Sequence, residues 1–204
     1  MQKIKKWSIF VIGLFIVSIG IVLTIKADLG VSPWDVFHIG LTKYFDVLTV
    51  GRASQLTGLI VITLSYILGQ IKPNIGTVIN MLLVGFMIDF VMTVIPEPTI
   101  LGYRYIYLIA GTILFGLGAG IYISSHCGTG PRDSLMMALD RKLDINIQWV
   151  RSGMELAILI LGYFLGGPVG IGTVCIAIGI GPVVGFSLDL MENLSRKSAI
   201  RANL

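Results

Sequence analysis

The chain has 204 residues, of which 55% are hydrophobic and only 13% are charged, and its mean hydropathy is +0.89. Soluble domains carry about 25% charged residues, so this composition excludes an ordinary water-soluble globular protein. The net charge of +4 does not indicate nucleic-acid binding, because the basic residues stand at the ends of apolar runs, as membrane topology requires. The apolar runs are continuous rather than alternating, which favours membrane-spanning helices over a β-barrel.

Six apolar runs have the length of a transmembrane helix, since about 20 residues at 1.5 Å per residue cross a hydrocarbon core of about 30 Å. The predicted spans are residues 7–26, 52–70, 74–94, 105–125, 149–165 and 169–191. We expect the first run to be a retained span and not a signal peptide, because it is too long and no small-residue cleavage site follows it.

A seven-residue stretch occurs twice, 98 residues apart, each time directly after an apolar run. It reads Leu-Gly-Val-Ser-Pro-Trp-Asp at residues 29–35 and Cys-Gly-Thr-Gly-Pro-Arg-Asp at residues 127–133. Each copy opens a polar segment, residues 33–47 and residues 131–144, which is short for a membrane crossing. We therefore expect two re-entrant or interfacial half-helices; full crossings by both segments would instead make eight spans.

The duplication extends along the whole chain, as residues 7–95 and residues 105–195. Gly13 and Gly20 of the first half recur as Gly111 and Gly118 of the second. Three spans in each half require that the halves insert in opposite orientations. Eleven of the 15 Lys and Arg residues then lie on the side of the N-terminus, which predicts that both termini are cytoplasmic.

The predicted fold class is therefore an all-α polytopic membrane protein. It has six transmembrane helices plus two short re-entrant or interfacial helices, arranged as two inverted three-span repeats in one integrated membrane domain. The stretch Lys-Ala-Asp-Leu-Gly-Val-Ser-Pro-Trp-Asp at residues 26–35, its partner at residues 128–133 and the duplicated architecture resemble the YczE/YyaS/YitT group of bacterial membrane proteins, most closely the YczE type. The resemblance covers nearly the whole chain. It implies an integral protein of the bacterial plasma membrane and brings no settled substrate and no catalytic residues.

The two repeated turns are typical helix starts. Ser32 has the character of an N-cap, Pro33 suits the first helical position, and Asp35 stands at the third. In the second copy Gly130 or Thr129 is the cap. Helix N-termini at membrane depth favour an anion, whereas the acids at the third position could instead bind a cation or proton, so the charge of the solute stays open. The candidate substrate-binding residues are Gly30, Ser32, Pro33, Asp35, Gly128, Thr129, Gly130, Pro131 and Asp133.

Further polar residues within or beside the spans are candidates for coupling or gating: Asp89, Asp189, Arg52, Arg151, Glu155 and Asn80. An acid at mid-membrane costs about 2.5–3.5 kcal/mol on insertion scales, so Asp89 and Asp189 need a partner or a function, although capping of a helix end would also account for them. Arg151 and Glu155 are four residues apart and can pair, or Arg52 or Arg151 could hold a substrate carboxylate.

No catalytic, nucleotide-binding or metal-binding motif accompanies these residues. His126 and Cys127 are adjacent, so their side chains diverge, and Cys127 and Cys175 lack the spacing of a disulfide framework. We expect no enzymatic activity, no metal and no cofactor.

The pattern as a whole indicates a small secondary transporter or channel for a small polar or charged solute, with its site between the two repeated turns. A non-transporting accessory or scaffold factor for another enzyme system is the alternative. The expected partners are the lipid bilayer and a small-molecule solute, with a homo-oligomer left open and no nucleic acid.

Overall fold

The computed structural model describes residues 2–143 and 146–202. This part of the chain is entirely helical, with short connections and no strand. The helices are α1 (Gln2–Ala27), α2 (Pro33–Thr42), α3 (Val50–Gly69), α4 (Ile75–Val94), α5 (Leu101–Ser124), α6 (Pro131–Leu143), α7 (Ile147–Phe164) and α8 (Ile171–Ala202). Asp144, the last residue of the second predicted half-helix, lies outside the described residues.

Five of the described helices are long and apolar enough to cross a membrane, namely α1, α3, α4, α5 and α8. The 18-residue α7 is not among them, because Gln148, Arg151 and Glu155 lower the hydropathy of its first half. Large apolar side chains such as Phe86, Phe164 and Ile178 are exposed along these helices, as a lipid solvent allows. The chain is therefore a membrane protein of packed helices.

The centre of the fold is a close contact between α1 and α5. A Cβ atom added at Gly13 would lie 2.5 Å from the nitrogen of Tyr122, and one added at Gly20 would lie 2.4 Å from the nitrogen of Phe115. Higher residue numbers in α1 thus meet lower numbers in α5, so the two helices run antiparallel. The glycines that recur between the halves are the residues that let these two backbones touch.

The other helices pack around this pair in defined directions. Gly51 lies against Gly85 and Gly58 lies against Met81, so α3 and α4 are antiparallel. In contrast, α8 runs parallel to α5, because Gly116 contacts Val183 and Gly120 contacts Ser187. The hydroxyl of Ser187 also donates a hydrogen bond to the carbonyl oxygen of Leu117 at 2.8 Å.

Two ion pairs lie at one end of the contact between α1 and α5. Lys26 contacts Glu97 at 2.9 Å, and Arg104 contacts Asp28 at 3.0 Å. The hydrogen bond and the positive charge of Lys26 hold the pKa of the exposed Glu97 carboxyl below its usual range. These contacts tie the end of α1 to the α4–α5 connection through Glu97 and to the start of α5 through Arg104.

The first half-helix is shorter than its polar segment predicts. It ends at Thr42, and residues 43–49 form turns that return to the N-cap of α3 at Thr49. The Nζ of Lys43 donates a hydrogen bond to the carbonyl oxygen of Gly166 at 2.5 Å, which fixes this end of α2 against the α7–α8 connection. The boundary at residue 47 was wrong because Asp46 and its neighbours belong to the loop.

Candidate functional site

The first repeated turn folds as an N-cap. The carbonyl oxygen of Ser32 accepts the first helical hydrogen bond from the nitrogen of Val36 at 2.9 Å. The Ser32 hydroxyl accepts from the Asp35 nitrogen at 3.4 Å and donates to the Asp35 carboxylate at 2.5 Å. Pro33 occupies the first helical position, where its missing N–H costs nothing, and all three residues are buried.

The second turn also forms a helix N-cap, but it uses different atoms. Gly130 is the cap, since its carbonyl oxygen accepts from the nitrogens of Asp133 and Ser134 at 3.1 and 3.4 Å. The Asp133 carboxylate accepts from the Gly130 nitrogen at 3.0 Å, which is the reciprocal half of a capping box. Thr129 stands one residue before this cap, and its side chain is exposed.

Both helix starts open into one cavity of about 120 Å³. Ser32, Trp34 and Asp35 line it from the first turn, while Gly130, Pro131 and Arg132 line it from the second. Side chains of α1, α3, α4 and α5 complete the wall: Leu14, Val17, Ile21, Ser54, Thr57, Val61, Asn80, Val84, Phe115 and Tyr122. A water molecule occupies about 30 Å³ of the liquid, so the cavity has room for a few waters or a solute of a few heavy atoms.

His38 joins Asp35 in this cavity. The two residues are three positions apart on α2, so their side chains lie on one face of the helix. The Nδ1 atom of His38 stands 3.5 Å from the nearer carboxylate oxygen of Asp35, and the two side chains are only 8% and 5% exposed. A buried carboxylate and a buried imidazole therefore face the same polar space.

Trp34 and Arg132 separate this cavity from a smaller pocket of about 20 Å³. Asp133, Arg151 and Glu155 line the smaller pocket. Arg151 and Glu155 form the predicted ion pair, with 3.3 Å between Nε and the carboxylate oxygen. Arg132 lies within electrostatic range of Asp133, Glu155 and Asp35, so the charges of the two spaces are linked.

Two other residues of the turns serve packing between the halves. Gly30 has a φ of +100°, and a Cβ atom there would lie 2.5 Å from the nitrogen of Gly170. Its counterpart Gly128 lies against Gly76. The nitrogen of Gly172 donates to the carbonyl oxygen of Leu29 at 2.7 Å. Each turn thus seats on the start of the last helix of the opposite half.

The remaining candidates are distributed over the molecule. Asp89 accepts hydrogen bonds from the Thr49 hydroxyl at 2.5 Å and from the Gly51 nitrogen at 2.9 Å, so it caps the start of α3. Arg52 is exposed and donates to the carbonyl oxygen of Val47 at 3.0 Å. Asp189 is exposed on α8, while Asn80 is buried and lines the cavity.

Comparison with known proteins gives the family. Residues 4–189 match the model of a family of unknown function, DUF6198. The chain belongs to this family. It is 41% identical over 188 residues to the uncharacterized membrane protein YczE of Bacillus subtilis, covering 92% of this chain and 87% of that protein. An uncharacterized protein of Haemophilus influenzae is 34% identical, covering 93% and 86%, and the uncharacterized protein YyaS of Bacillus subtilis is 33% identical, covering 82% and 85%. No solved structure matches the chain.

Sequence reasoning missed several cavity residues of this DUF6198 chain. His38 follows Asp35 at the spacing of one helical face, and Ser54 and Thr57 share that spacing on α3, so periodicity could have found them. Tyr122 carried no such signal, because only the antiparallel packing of α5 on α1 brings it to the cavity. Trp34 and Arg132, at equivalent positions in the two turns, differ in type but line the same two spaces.

Proposed function

We propose that this DUF6198 protein consists of two inverted repeats in the bacterial plasma membrane, with six spans and both termini in the cytoplasm. The antiparallel packing of α1 on α5, its equivalent in the second half, supports the inversion. In this arrangement α7 is the sixth span, since it corresponds to α3. Its charged first half is accommodated because Arg151 pairs with Glu155 and both line a polar pocket.

The positions of α2 and α6 favour re-entrant helices over full crossings. Pro131, at the start of α6, lies against Gly58 in the middle of α3, whereas Ala138 lies against Gly69 at the end of α3. The half-helix therefore begins at the level of the middle of a span and runs outward beside it. At the other end of the molecule, α2 packs by Phe37 and Gly40 against Gly162 and Leu165, near the end of α7.

Within this arrangement the protein is a small secondary transporter or channel for a small polar or charged solute. The observation that carries the proposal is that the two half-helix N-termini open into one cavity lined by Asp35, Asn80 and Arg132. Broken helices of two inverted repeats that meet near the bilayer midplane are a common construction of transporter sites. Buried polar groups in a bilayer are costly, and a solute pathway accounts for their presence together.

The test is flux through proteoliposomes of the purified protein. Charge movement on a solid-supported membrane and uptake of isotope-labelled compounds would be recorded for a panel of amino acids, short carboxylates, small amines and guanidine. We expect saturable or gated flux of one class of compound. Asp35→Asn should reduce that flux by at least about tenfold, because a lost interaction with a buried charged group is worth about 1.5–3 kcal/mol.

The matched control is Asp46→Asn, which removes an exposed carboxylate from the loop after α2 and should leave flux unchanged. Asp133→Asn weakens the contact of this side chain with the Gly130 N–H and lies outside the cavity wall, so it should lower flux less than Asp35→Asn. Wild-type flux in folded Asp35→Asn protein contradicts the site. Absence of flux for the whole panel, with a partner protein retained in mild detergent, favours the accessory role instead.

A further inference from the structure

The cavity contains a buried nitrogen without a hydrogen-bond partner. Among the described residues, Nδ1 of His38 is the buried side-chain polar atom for which no partner is found. An unpaired buried polar group costs about 1–3 kcal/mol, so such an atom needs a reason. The Asp35 carboxylate stands 3.5 Å from this atom, slightly beyond the range of a good hydrogen bond.

The charges around the cavity are also unbalanced. The cavity and the adjoining pocket are lined by three carboxylates, of Asp35, Asp133 and Glu155, and by two guanidinium groups, of Arg132 and Arg151. Arg151 is paired with Glu155 at 3.3 Å, and Asp133 is the carboxylate that interacts most strongly with the charge of Arg132. One negative charge is left over, and Asp35 is the most deeply buried of the three acids. A single positive charge beside Asp35 would balance the centre.

We propose that Asp35 and His38 form a proton-binding pair, in which a proton on the imidazole supplies this missing positive charge. A protonated His38 carries an N–H at Nδ1, and a small approach of the two side chains turns the 3.5 Å contact into a charge-assisted hydrogen bond. The second carboxylate oxygen of Asp35 is already held by the Ser32 hydroxyl at 2.5 Å. Protonation of His38 thus gives the Nδ1 atom a hydrogen-bond partner and also balances the excess negative charge.

Among the groups around the cavity, Asp35 and His38 form the centre that binds the proton. Tyr122 of α5 and Arg132 of α6 are the other ionisable groups in the cavity wall, and α1, α3 and α4 contribute apolar, hydroxyl and amide side chains there. From α7, Arg151 and Glu155 line the adjoining pocket behind Trp34. Arg132 is permanently charged, so it sets a constant field and does not itself exchange the proton.

The role of this proton as a coupling ion rests on the proposed transport function, but its binding does not, and the experiment measures binding alone. The chain has two histidines, His38 and His126, so ring-labelled ¹⁵N-histidine NMR in nanodiscs resolves both, with His126→Gln to assign them. Spectra recorded between about pH 5 and pH 9 should show a doubly protonated His38 ring at the acid end, with an N–H at Nδ1. Asp35→Asn should weaken proton binding by His38, because the stabilising carboxylate is gone.

Asp46→Asn is the matched control, because it removes an exposed carboxylate from the loop after α2 and lines neither pocket. It should leave the His38 titration unchanged, and a monodisperse peak in size-exclusion chromatography shows for each variant that the protein remains folded. A His38 that stays neutral across the range, or whose titration ignores Asp35→Asn, overturns the proposal. If the wild-type protein shows no flux but His38 still binds a proton that depends on Asp35, transport is refuted and the proton site stands.

Discussion

At the scale of single residues, the same residue type has different roles in the two halves. Asp35 shares its carboxylate with a hydroxyl inside the cavity, while Asp133 holds the backbone N–H of Gly130. Asp89 caps α3 through Thr49 and Gly51. A carboxylate that accepts backbone N–H groups at a helix start stabilises the fold, so the position of an acid near a helix end does not by itself indicate coupling.

This role of Asp89 gives a stability prediction. Asp89→Ala should destabilise the protein by about 1–2 kcal/mol, because it leaves the Gly51 N–H and the Thr49 hydroxyl without their acceptor. The measurement is the thermal unfolding midpoint in detergent, compared with that of the wild type.

Asp189→Ala serves as the control for Asp89→Ala, since Asp189 stands at the corresponding end of the last span but is exposed. It should change the midpoint little. Equal losses in both variants would contradict the capping role of Asp89.

At the scale of helices, glycine determines which pairs approach most closely. Gly13, Gly20, Gly111 and Gly118 lie along the α1–α5 contact, with backbone atoms of the other helix where a Cβ would stand. In lipid, helix association depends on van der Waals packing more than on the hydrophobic effect. The repeated glycines are therefore a structural requirement of the central pair.

Gly20→Ala should disrupt this contact. The new Cβ would lie 2.4 Å from the Phe115 nitrogen, which is backbone and cannot move aside, so we expect a loss of about 1–3 kcal/mol or more. Thermal unfolding and retention of the monodisperse peak in size-exclusion chromatography would measure it.

Gly185→Ala on α8 is the matched substitution, because nothing lies within 4 Å of a Cβ at that position. Alanine has the higher intrinsic helix propensity, so this variant should be as stable as the wild type or slightly more so. If both alanine variants unfolded alike, close packing at Gly20 would not explain the effect.

Periodicity and turn chemistry predict much of this architecture. The six apolar runs match long helices to within a few residues in most cases, and Ser32-Pro33 and Gly130-Pro131 mark the starts of α2 and α6. The joint cavity follows from the repeat and the glycines. The burial of Asp35 and His38 in a shared cavity and the contribution of Tyr122 depend on tertiary packing between the halves, which no local pattern contains.

At the scale of the whole molecule, the topology can be tested with two cysteine probes. Asp46→Cys lies in the α2–α3 loop and Gln148→Cys lies at the start of α7, and both positions are exposed. In a Cys127→Ser, Cys175→Ser background, a membrane-impermeant maleimide should label them from opposite sides of the membrane. This labelling would mean that each half-helix enters the membrane and returns to the side from which it entered.

The same two probes distinguish six spans from eight. Full crossings by α2 and α6 would place both positions on the side of the N-terminus, so labelling from one side only would contradict the re-entrant arrangement. Inverted and right-side-out vesicles provide the two orientations, and solubilised protein shows that both cysteines are reactive.

The seating of each turn on the opposite half has a consequence for biosynthesis. Gly30 packs against Gly170, and the Leu29 carbonyl oxygen receives its hydrogen bond from Gly172, residues that the ribosome adds long after α1 has left it. Until the start of α8 is inserted, the first turn lacks these contacts. The first half therefore enters the bilayer as an unfinished intermediate, and the seating of its turn waits on one of the last segments to be translated.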